Sequence, residues 1–351
     1  GAVLRRFFTR DAVMAPAAVV GPAVWGLSPD TPGTGLGALT YALKHTAQVG
    51  RPIGGSGSLP AAVLAGFETA GGKVRTSSRV AAIHCEGDRV RGVELVDGSA
   101  FDAPIVVVAC DPRTAFVQWL RDPPPQAAET VDRWRRAPEQ DGYESKLDAV
   151  VAEAPQYRQT DPQVVRRLGY DPLTATTIVA PSLDAMAAAH RRRAAGRVTS
   201  RPMLFANVPS ALDPTMRVGS DHVLSLEVLF TPYALEGGWA DSAEPERWLE
   251  CFGGLVQPGF LDGVRRWRAM TPDRYEAEFH LPRGHAASFA GGPLAALQGR
   301  PPELTRYETP VGGLYLTGAA TFPGAGVWGA PGRNAATVIL QRSCSHAAGV
   351  S

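Results

Sequence analysis

Three glycines near the end of the chain have the spacing of a nucleotide-binding turn. Gly324, Gly326 and Gly329 satisfy the pattern G-x-G-x-x-G, in which backbone N–H groups approach a ligand ahead of a helix N-terminus. A dinucleotide site also needs a strand directly before the glycines and an acidic residue ~20 positions later. Here the segment Gly318 to Pro323 intervenes, and no acidic residue follows the turn. The pattern therefore predicts either a turn that binds another anionic ligand or a turn packed against a sheet.

A second glycine-rich turn runs from Gly54 to Gly57, and Pro60 after it suits the first position of a helix. Ser56 and Ser58 lie in this turn, but the residues around them do not match the G-x-S-x-G turn of hydrolases. The turn therefore predicts close backbone approach to a ligand rather than a nucleophile.

The histidines of the chain lack the spacing of metal ligands. His45, His84 and His222 are isolated, and His280 and His285 are five apart across a Pro-Arg-Gly turn. Neither H-x-x-x-H nor H-E-x-x-H occurs. We therefore expect these side chains to have structural roles and not to bind a metal. The spacing of His280 and His285 allows a site, but it is a weak signal.

Composition excludes several classes of protein. The 351 residues are 44% hydrophobic and 20% charged, which predicts about two globular domains. The net charge of +1 lacks the basic character of a nucleic-acid-binding protein. Four separated cysteines without a C-x-x-C pair predict reduced thiols and a cytoplasmic protein. No apolar run approaches the ~18 residues of a membrane span.

The sequence predicts some of the helices and strands that must position the two turns. Prolines in residues 1–50 predict only short helices there and no opening strand. The apolar run from Pro104 to Ala109 predicts a strand buried on both faces of a partly parallel sheet. Leu314 to Thr317 predicts a strand, followed by the glycine loop and a helix from about Arg333 to Arg342. Between them, residues 112–300 predict a second domain in which a sheet is flanked by helices.

The C-terminal run from Gly313 to Ala336 resembles the flavin motif of phytoene desaturase-like oxidoreductases, and more closely that of their phytoene dehydrogenase-related branch. Further segments resemble the same family in the same order. They are Gly54–Pro60, Ala70–Gly72, Thr76–Val80, Val90–Asp97 and, from the family's substrate domain, Asp141–Asp148.

The resemblance implies a mixed α/β (α+β) fold. It would consist of an incomplete FAD/NAD(P)-binding Rossmann-like domain with an inserted substrate domain of sheet and helices. Residues 1–50 and 112–304 would form the substrate domain, and residues 51–111 and 305–351 would form segments of the FAD-binding domain. Members of the family open with a strand, a G-x-G-x-x-G turn and a helix that hold the FAD pyrophosphate. Since this chain opens with Gly1 in substrate-domain sequence, we expect it to be a C-terminal portion. Either a second chain or a removed N-terminal segment would complete the site, or FAD would be absent from the chain.

The resemblance also implies roles for individual residues. Val80 would contact the adenine through its backbone, and Gly318 and Ala319 would contact the ribityl–pyrophosphate stretch. The flavin ring would lie against the loop that follows, with the helix near Arg333 directed at its pyrimidine edge. Gly55, Ser56, Gly57 and Trp328 would lie on the substrate side. The cofactor-binding set is Val80, Gly318, Ala319, Gly326, Val327 and Gly329.

The implied function is an FAD-dependent oxidoreductase that moves hydride from an apolar or partly apolar small molecule to flavin. Such a substrate would bring the protein to a membrane surface as a peripheral contact. No residue stands out as a general base. One alternative is a flavin amine oxidase, although that family has a Gly-Asp pair where this chain has Gly318-Ala319, and only Trp328 is available for its aromatic pair. The other is a non-catalytic flavin-fold remnant that serves as a binding or interaction module.

Overall fold

The computed structural model of the protein describes residues 1–44, 46, 50–285, 292–324, 326 and 329–348. The helices are α1 Asp11–Trp25, α2 Leu36–Lys44, α3 Ser58–Thr69, α4 Ala128–Arg136, α5 Pro162–Leu168, α6 Leu183–Ala194, α7 Pro209–Leu212, α8 Glu244–Gly253, α9 Pro272–Phe279, α10 Gly292–Gln298, α11 Pro302–Thr305 and α12 Ala330–Ala348. The strands are β1 Val80–Glu86, β2 Arg89–Leu95, β3 Ala100–Asp102, β4 Val106–Val108, β5 Leu120–Arg121, β6 Tyr143–Val151, β7 Thr177–Val179, β8 Leu204–Asn207, β9 His222–Thr231, β10 Val264–Met270 and β11 Leu314–Leu316.

Contacts divide the chain into two compact units. Unit 1 comprises residues 1–60 and 140–287, and unit 2 comprises residues 61–139 and 288–351. The sequence predicts boundaries after residues 50, 111 and 304 instead. Residues 112–139 fall in unit 2 because their side chains bond within it. Arg113 donates to the Trp134 carbonyl at 2.8 Å, and Arg133 donates to Glu303 at 2.6 Å.

Unit 1 is built on a five-stranded antiparallel sheet in the order β10-β6-β9-β8-β7. Side chains alternate along β6, so that Leu147, Ala149 and Val151 are buried on one face. Trp248 and Phe252 of α8 cover that face. The apolar runs at 204–208 and 222–230 predict strands, and β8 and β9 confirm them, together with the predicted sheet and its flanking helices.

Helix α1 corrects the prediction that prolines keep the N-terminal helices short. Pro16 and Pro22 both lie inside this 15-residue helix. Met14 and Val19 of α1 are buried in one cluster with Leu183 of α6. Packing of a helix face outweighs the local cost of an interior proline, and such packing cannot be read from the local sequence.

Unit 2 contains a four-stranded sheet in the order β3-β2-β1-β5 and a two-stranded parallel sheet of β4 and β11. The turn at Asp97-Gly98 joins β2 to β3, with Gly98 at a φ of +83°. The predicted parallel pairing of the apolar run at 104–109 is confirmed. Its predicted burial on both faces is wrong, because Val106 and Val108 are buried while Val107 is 44% exposed. In the described part of the chain, β4 pairs only with β11, which leaves it at an edge.

Candidate functional site

The carboxyl ends of the parallel strands β4 and β11 form the first part of the candidate site. Leu316 lies opposite Val108, and the N–H of Thr317 donates to the Val108 carbonyl at 2.8 Å. The Thr317 hydroxyl oxygen is buried and has no hydrogen-bond partner among the described residues. Ligands of open α/β sheets bind at the carboxyl ends of the strands. A buried, unpartnered hydroxyl at this edge is therefore where a ligand atom would be bonded.

Gly318 follows at the same edge and must be glycine for two reasons. Its φ is +82°, a conformation that strains other residues, and a Cβ there would lie 3.1 Å from the Ala109 carbonyl oxygen. The loop backbone thereby runs directly against the end of β4. Ala319 is exposed beside it. The structure thus places both predicted pyrophosphate-side residues at the carboxyl edge, and their contact with a cofactor stays a prediction.

Two residues that the sequence analysis missed hold this loop. The Tyr307 hydroxyl donates to the Phe322 carbonyl at 2.5 Å, and the Asn334 amide donates to the Tyr307 hydroxyl at 2.8 Å. Tyr307 itself has a φ of +66°. The loop is therefore tied to α12 through a buried tyrosine. Nothing in the local sequence around Tyr307 signals this role.

Helix α12 begins at Ala330, so the predicted start near Arg333 is three residues late. Pro331 in the first turn fits a helix start, and the Arg333 N–H donates to the Gly329 carbonyl at 2.9 Å. Gly326 and Gly329 are exposed ahead of the helix. Its N-terminal N–H groups favour a negatively charged ligand here. Val327 and Trp328 lie outside the described residues.

Val80, the predicted adenine contact, is the first residue of β1. It lies opposite Leu95 of β2 in the four-stranded sheet, whereas Gly318 follows the two-stranded sheet. The role of Val80 stays a prediction.

The Gly54–Gly57 turn belongs to unit 1 and is fixed by residues far away in sequence. Gly54 and Gly55 have φ values of +81° and +89°. The Gly54 N–H donates to Asp213 at 2.6 Å, and a Cβ on Gly55 would lie 3.1 Å from the Met216 side chain. Hydrogen bonds from Thr215 and from Gly54 lower the pKa of Asp213. Sequence reasoning missed Asp213 and Met216, which lie some 160 residues beyond the turn.

The same turn is joined to one face of the five-stranded sheet. Arg51 donates to the Asn207 side-chain oxygen at 2.9 Å and to the Thr176 hydroxyl at 3.3 Å. Asn207 ends β8 and lies opposite Ser225 of β9. We call the partly buried side chains on this face the polar face. Its members are Glu144, Lys146, Asp148, Asn207, Ser225 and Glu227.

Three of the histidines that the sequence analysis considers have a hydrogen bond within the described residues. His84 lies 2.8 Å from Glu94, His222 lies 3.1 Å from the Ser210 hydroxyl, and His285 lies 3.1 Å from a backbone carbonyl. His45 lies outside the described residues. In the described part of the chain, no group of three or more His, Cys, Asp or Glu side chains is placed to hold a metal. None of its helices has the length and apolar character that crossing a membrane requires.

Comparisons with known proteins place this geometry in context. The family model for flavin containing amine oxidoreductases matches residues 26–140. The chain is 29% identical over 352 residues to pyridine nucleotide-disulfide oxidoreductase domain-containing protein 2 of Mus musculus, covering 94% of this chain and 58% of that protein. It is 24% identical over 300 residues to a neurosporene-forming phytoene desaturase of Rhodobacter capsulatus, covering 84% of this chain and 54% of that enzyme.

The chain is thus similar in sequence to phytoene desaturases and to a pyridine nucleotide-disulfide oxidoreductase domain-containing protein. An oxidoreductase from Methanosarcina mazei superposes with a TM-score of 0.58 at 17% identity, covering 91% of this chain and 62% of that one. This likeness confirms the predicted fold class, and the sequence matches confirm the predicted resemblance and support a flavin cofactor. The chain spans 58–60% of the length of its mouse and rat relatives.

Proposed function

We propose that the chain forms the substrate-side and C-terminal cofactor-side parts of an FAD-dependent oxidoreductase. The enzyme would move hydride from an apolar or partly apolar small molecule to the flavin. The observation that carries this proposal is the carboxyl edge of β4 and β11. The buried Thr317 hydroxyl without a described partner and the closely packed Gly318 lie there, and α12 begins 12 residues further along the chain.

The residues of this edge fit a flavin nucleotide. Gly318 and Ala319 would lie against the ribityl–pyrophosphate stretch, since the edge leaves their backbone close to β4 and accessible. Gly326, Val327 and Gly329 would face the ring, and Val80 would contact the adenine. The positive end of α12 would stabilise negative charge on the bound group. When bound, the flavin supplies the hydride-accepting chemistry, and the protein supplies binding, orientation and exclusion of water.

The substrate side would be formed by Gly55, Ser56, Gly57 and Trp328. Two adjacent glycines with positive φ, Gly54 and Gly55, allow a turn of the backbone that would strain other residues. Asp213 and Arg51 fix the turn, so it would orient a substrate as a rigid element.

A further segment would complete the cofactor site. Ile105 and Val107 are 38% and 44% exposed on a strand of continuous apolar sequence, although parallel sheets are covered on both faces. We propose that a strand and helix from a preceding segment, or from a second chain, cover β4 and hold the FAD pyrophosphate.

The protein would work in the cytoplasm, at a membrane surface. Phe7 and Phe8 are exposed, and Arg6 and Arg10 are exposed beside them. Aromatic side chains enter the lipid interface and basic ones are attracted to anionic headgroups. This segment supports the peripheral contact that an apolar substrate requires.

The Thr317→Val variant tests the proposal, because it removes the hydroxyl and keeps the shape. In the FAD-free protein it should leave stability unchanged or raise it, since a buried hydroxyl without a partner is lost. It should also weaken FAD binding by roughly 5- to 10-fold, because one hydrogen bond contributes about 1 kcal/mol to the binding free energy. The assay is titration with FAD of the full-length protein, meaning this chain together with the proposed segment that completes the cofactor site, followed by flavin absorbance. Thr337→Val, an exposed threonine of α12, is the matched control.

Two results would contradict the proposal. If Thr317→Val binds FAD as tightly as the parent protein, the carboxyl edge is not the flavin site. If the full-length protein takes up no FAD, the chain is a binding or interaction module and not an oxidoreductase.

Oxidation of amines is a second candidate. The family model that matches residues 26–140 describes flavin containing amine oxidoreductases, and this favours a C=N product over a C=C product. Reduction of the bound flavin by a panel of amines, compared with polyenes, separates the two reactions.

A further inference from the structure

An open pocket at the C-terminal end of α6 is lined by arginines and small residues. Its volume is about 390 Å³, and its lining consists of Ala188, Arg191, Arg192, Ala195 and Arg197. This volume lies within the ~300–1,000 Å³ range of pockets that bind small molecules. Among the described residues, no acidic side chain belongs to the lining. The charged groups of the pocket are therefore all positive.

The turn that ends α6 holds the third arginine beside the other two. Gly196 has a φ of +72°, and its N–H donates to the Arg193 carbonyl at 2.9 Å. The Arg197 N–H donates to the Arg192 carbonyl, also at 2.9 Å. Together these bonds form the Schellman motif. The Gly196 carbonyl in turn accepts from the Glu236 N–H at 2.7 Å. The backbone thus fixes Arg197 against the last turn of α6.

The arginine side chains are not needed to complete the end of the helix. The carbonyls of residues 191–193 all accept backbone N–H groups from residues 195–197. Basic side chains often bond such carbonyls at helix ends, but here the backbone already does so. The negative end of a helix is also equivalent to only about half a charge, whereas the pocket carries three positive charges. The helix end therefore compensates the arginines only in part.

The pocket arginines also lack an ion-pair partner. Arg193, on the same turn of α6, pairs with Asp141 at 3.2 Å. In the described part of the chain, no carboxylate forms such a pair with Arg191, Arg192 or Arg197, and all three are exposed. Like charges around one pocket repel one another. An anion bound between them would turn this repulsion into attraction.

The side-chain chemistry favours phosphate among the anions. A guanidinium group presents N–H donors in a planar fork that matches two phosphate oxygens. A phosphate monoester carries about 1.5 to 2 negative charges and three acceptor oxygens at neutral pH, so more than one arginine can bond it at once. A carboxylate, with one charge and two oxygens, compensates the pocket less.

We propose that Arg191, Arg192 and Arg197 form a binding site for a phosphate group. The phosphate would belong to a soluble phosphate ester or to the headgroup of an anionic phospholipid. The site requires no flavin and no membrane, so it stands or falls separately from the oxidoreductase activity and the membrane contact proposed above.

The lipid source follows from the helix face that lines the pocket. Asp184 precedes Ala188 by four residues and Arg191 by seven, so the three lie on one face of α6. Arg5 donates to Asp184 at 2.6 Å, and exposed aromatic side chains follow at residues 7–8. A membrane that takes up those side chains would meet the N-terminal end of the same helix face.

The double variant Arg191→Gln/Arg192→Gln tests the site in the 351-residue chain. Titration with inorganic phosphate is followed by the nuclear magnetic resonance signals of the arginine Nε–H groups. Sedimentation measures binding to phosphatidylcholine vesicles with and without phosphatidic acid. The matched control is Arg166→Gln/Arg167→Gln, which removes the same charge from two exposed arginines. These lie in the last turn of α5, a helix that also ends in a glycine with positive φ.

The expected losses differ between the pocket and the control. The pocket double variant should weaken binding roughly thirtyfold and Arg197→Gln roughly fivefold, because each arginine beside an anionic surface contributes roughly fivefold. The control should weaken it by less than about twofold, because salt screens charges outside the pocket. Urea unfolding should be the same for all variants, since the backbone completes the end of α6.

Two patterns of loss support the site and separate its sources. If the pocket variants lose inorganic phosphate but bind vesicles with phosphatidic acid as the parent does, the ligand is a soluble ester. If they lose those vesicles, the ligand is a phospholipid headgroup. Equal losses in the pocket and control double variants would overturn the proposal, because overall charge would then attract the anion. Unchanged binding of both probes by the pocket variants would overturn it too.

Discussion

Gly318→Ala is the substitution that most directly probes the carboxyl edge of β4 and β11. The φ of +82° at this position costs a non-glycine residue about 1–2 kcal/mol. The new Cβ would lie 3.1 Å from the Ala109 carbonyl oxygen, which is closer than an ordinary van der Waals contact. Since neither backbone segment is free to move without disturbing the strand ends, we expect a loss of about 2 kcal/mol, or about thirtyfold in the local unfolding constant.

Hydrogen exchange at the amides of β4 and β11 measures this loss without assuming that both units unfold together. Gly332→Ala is the matched control, because Gly332 lies in the first turn of α12 with open space around its Cα. Alanine is favoured over glycine in helices, so this control should be neutral or stabilising by up to ~1 kcal/mol. The same glycine-to-alanine change should thus lower the stability at position 318 and leave it unchanged or raise it at position 332, 14 residues later.

The FAD titration of the full-length protein gives the functional counterpart. If the loop backbone contacts the ligand, Gly318→Ala should weaken FAD binding by tenfold or more. The reasoning is refuted if Gly318→Ala exchanges its β4 and β11 amides at the parent rate, because the backbone would then tolerate a Cβ at this edge.

Two further predictions concern unit 1. Trp248→Ala should destabilise the unit by about 3–5 kcal/mol, because it removes the largest fully buried side chain of the core. Trp267→Ala, at a residue that is 37% exposed, should cost less than about 1 kcal/mol. Urea unfolding followed by tryptophan fluorescence measures the stability of both variants. Asp213 has a pKa below its ordinary 3.8, so the order that it gives the Gly54 turn should be complete above that value and lost as the pH falls below it. Hydrogen exchange at the turn measured against pH should show this loss in the parent but not in Asp213→Asn.

The elements that the sequence predicted well are those whose pattern is local. Asp97-Gly98 is typical of a hairpin turn, and Gly98 in the connection between β2 and β3 has the positive φ that glycine readily adopts. The strand at 222–231 follows from its own sequence, in which the buried Leu224 and Leu226 alternate with the partly buried Ser225 and Glu227. Helix α1 was mispredicted because its extent depends on Met14 and Val19 packing against α6, some 170 residues away in sequence. Local propensity says nothing of such a partner.

In the candidate site too, the sequence predicted the features with a local pattern and missed those that depend on distant residues. The glycines at 54, 55 and 318 could be predicted, because backbone conformations with positive φ select glycine. The residues that hold those turns could not, since Asp213, Tyr307 and Asn334 are brought to them only by the fold. The local sequence around a polar loop residue does not identify the distant group to which it will hydrogen-bond.

The polar face bears on the substrate of the proposed reaction. The segment Glu144-Ser145-Lys146-Leu147-Asp148 alternates between partly buried charged residues and buried residues, so the sequence alone could have assigned its charges to one face of a strand. It could not have placed Lys146 opposite Glu227, which depends on the register of β6 against β9. Arg51 ties the proposed substrate-side turn to Asn207 at the edge of this face. A pure hydrocarbon bound to such a surface would leave its charged and hydrogen-bonding groups without partners, and this costs binding free energy. If the polar face lines the proposed substrate site, we therefore expect a partly apolar substrate with its own polar group rather than a hydrocarbon.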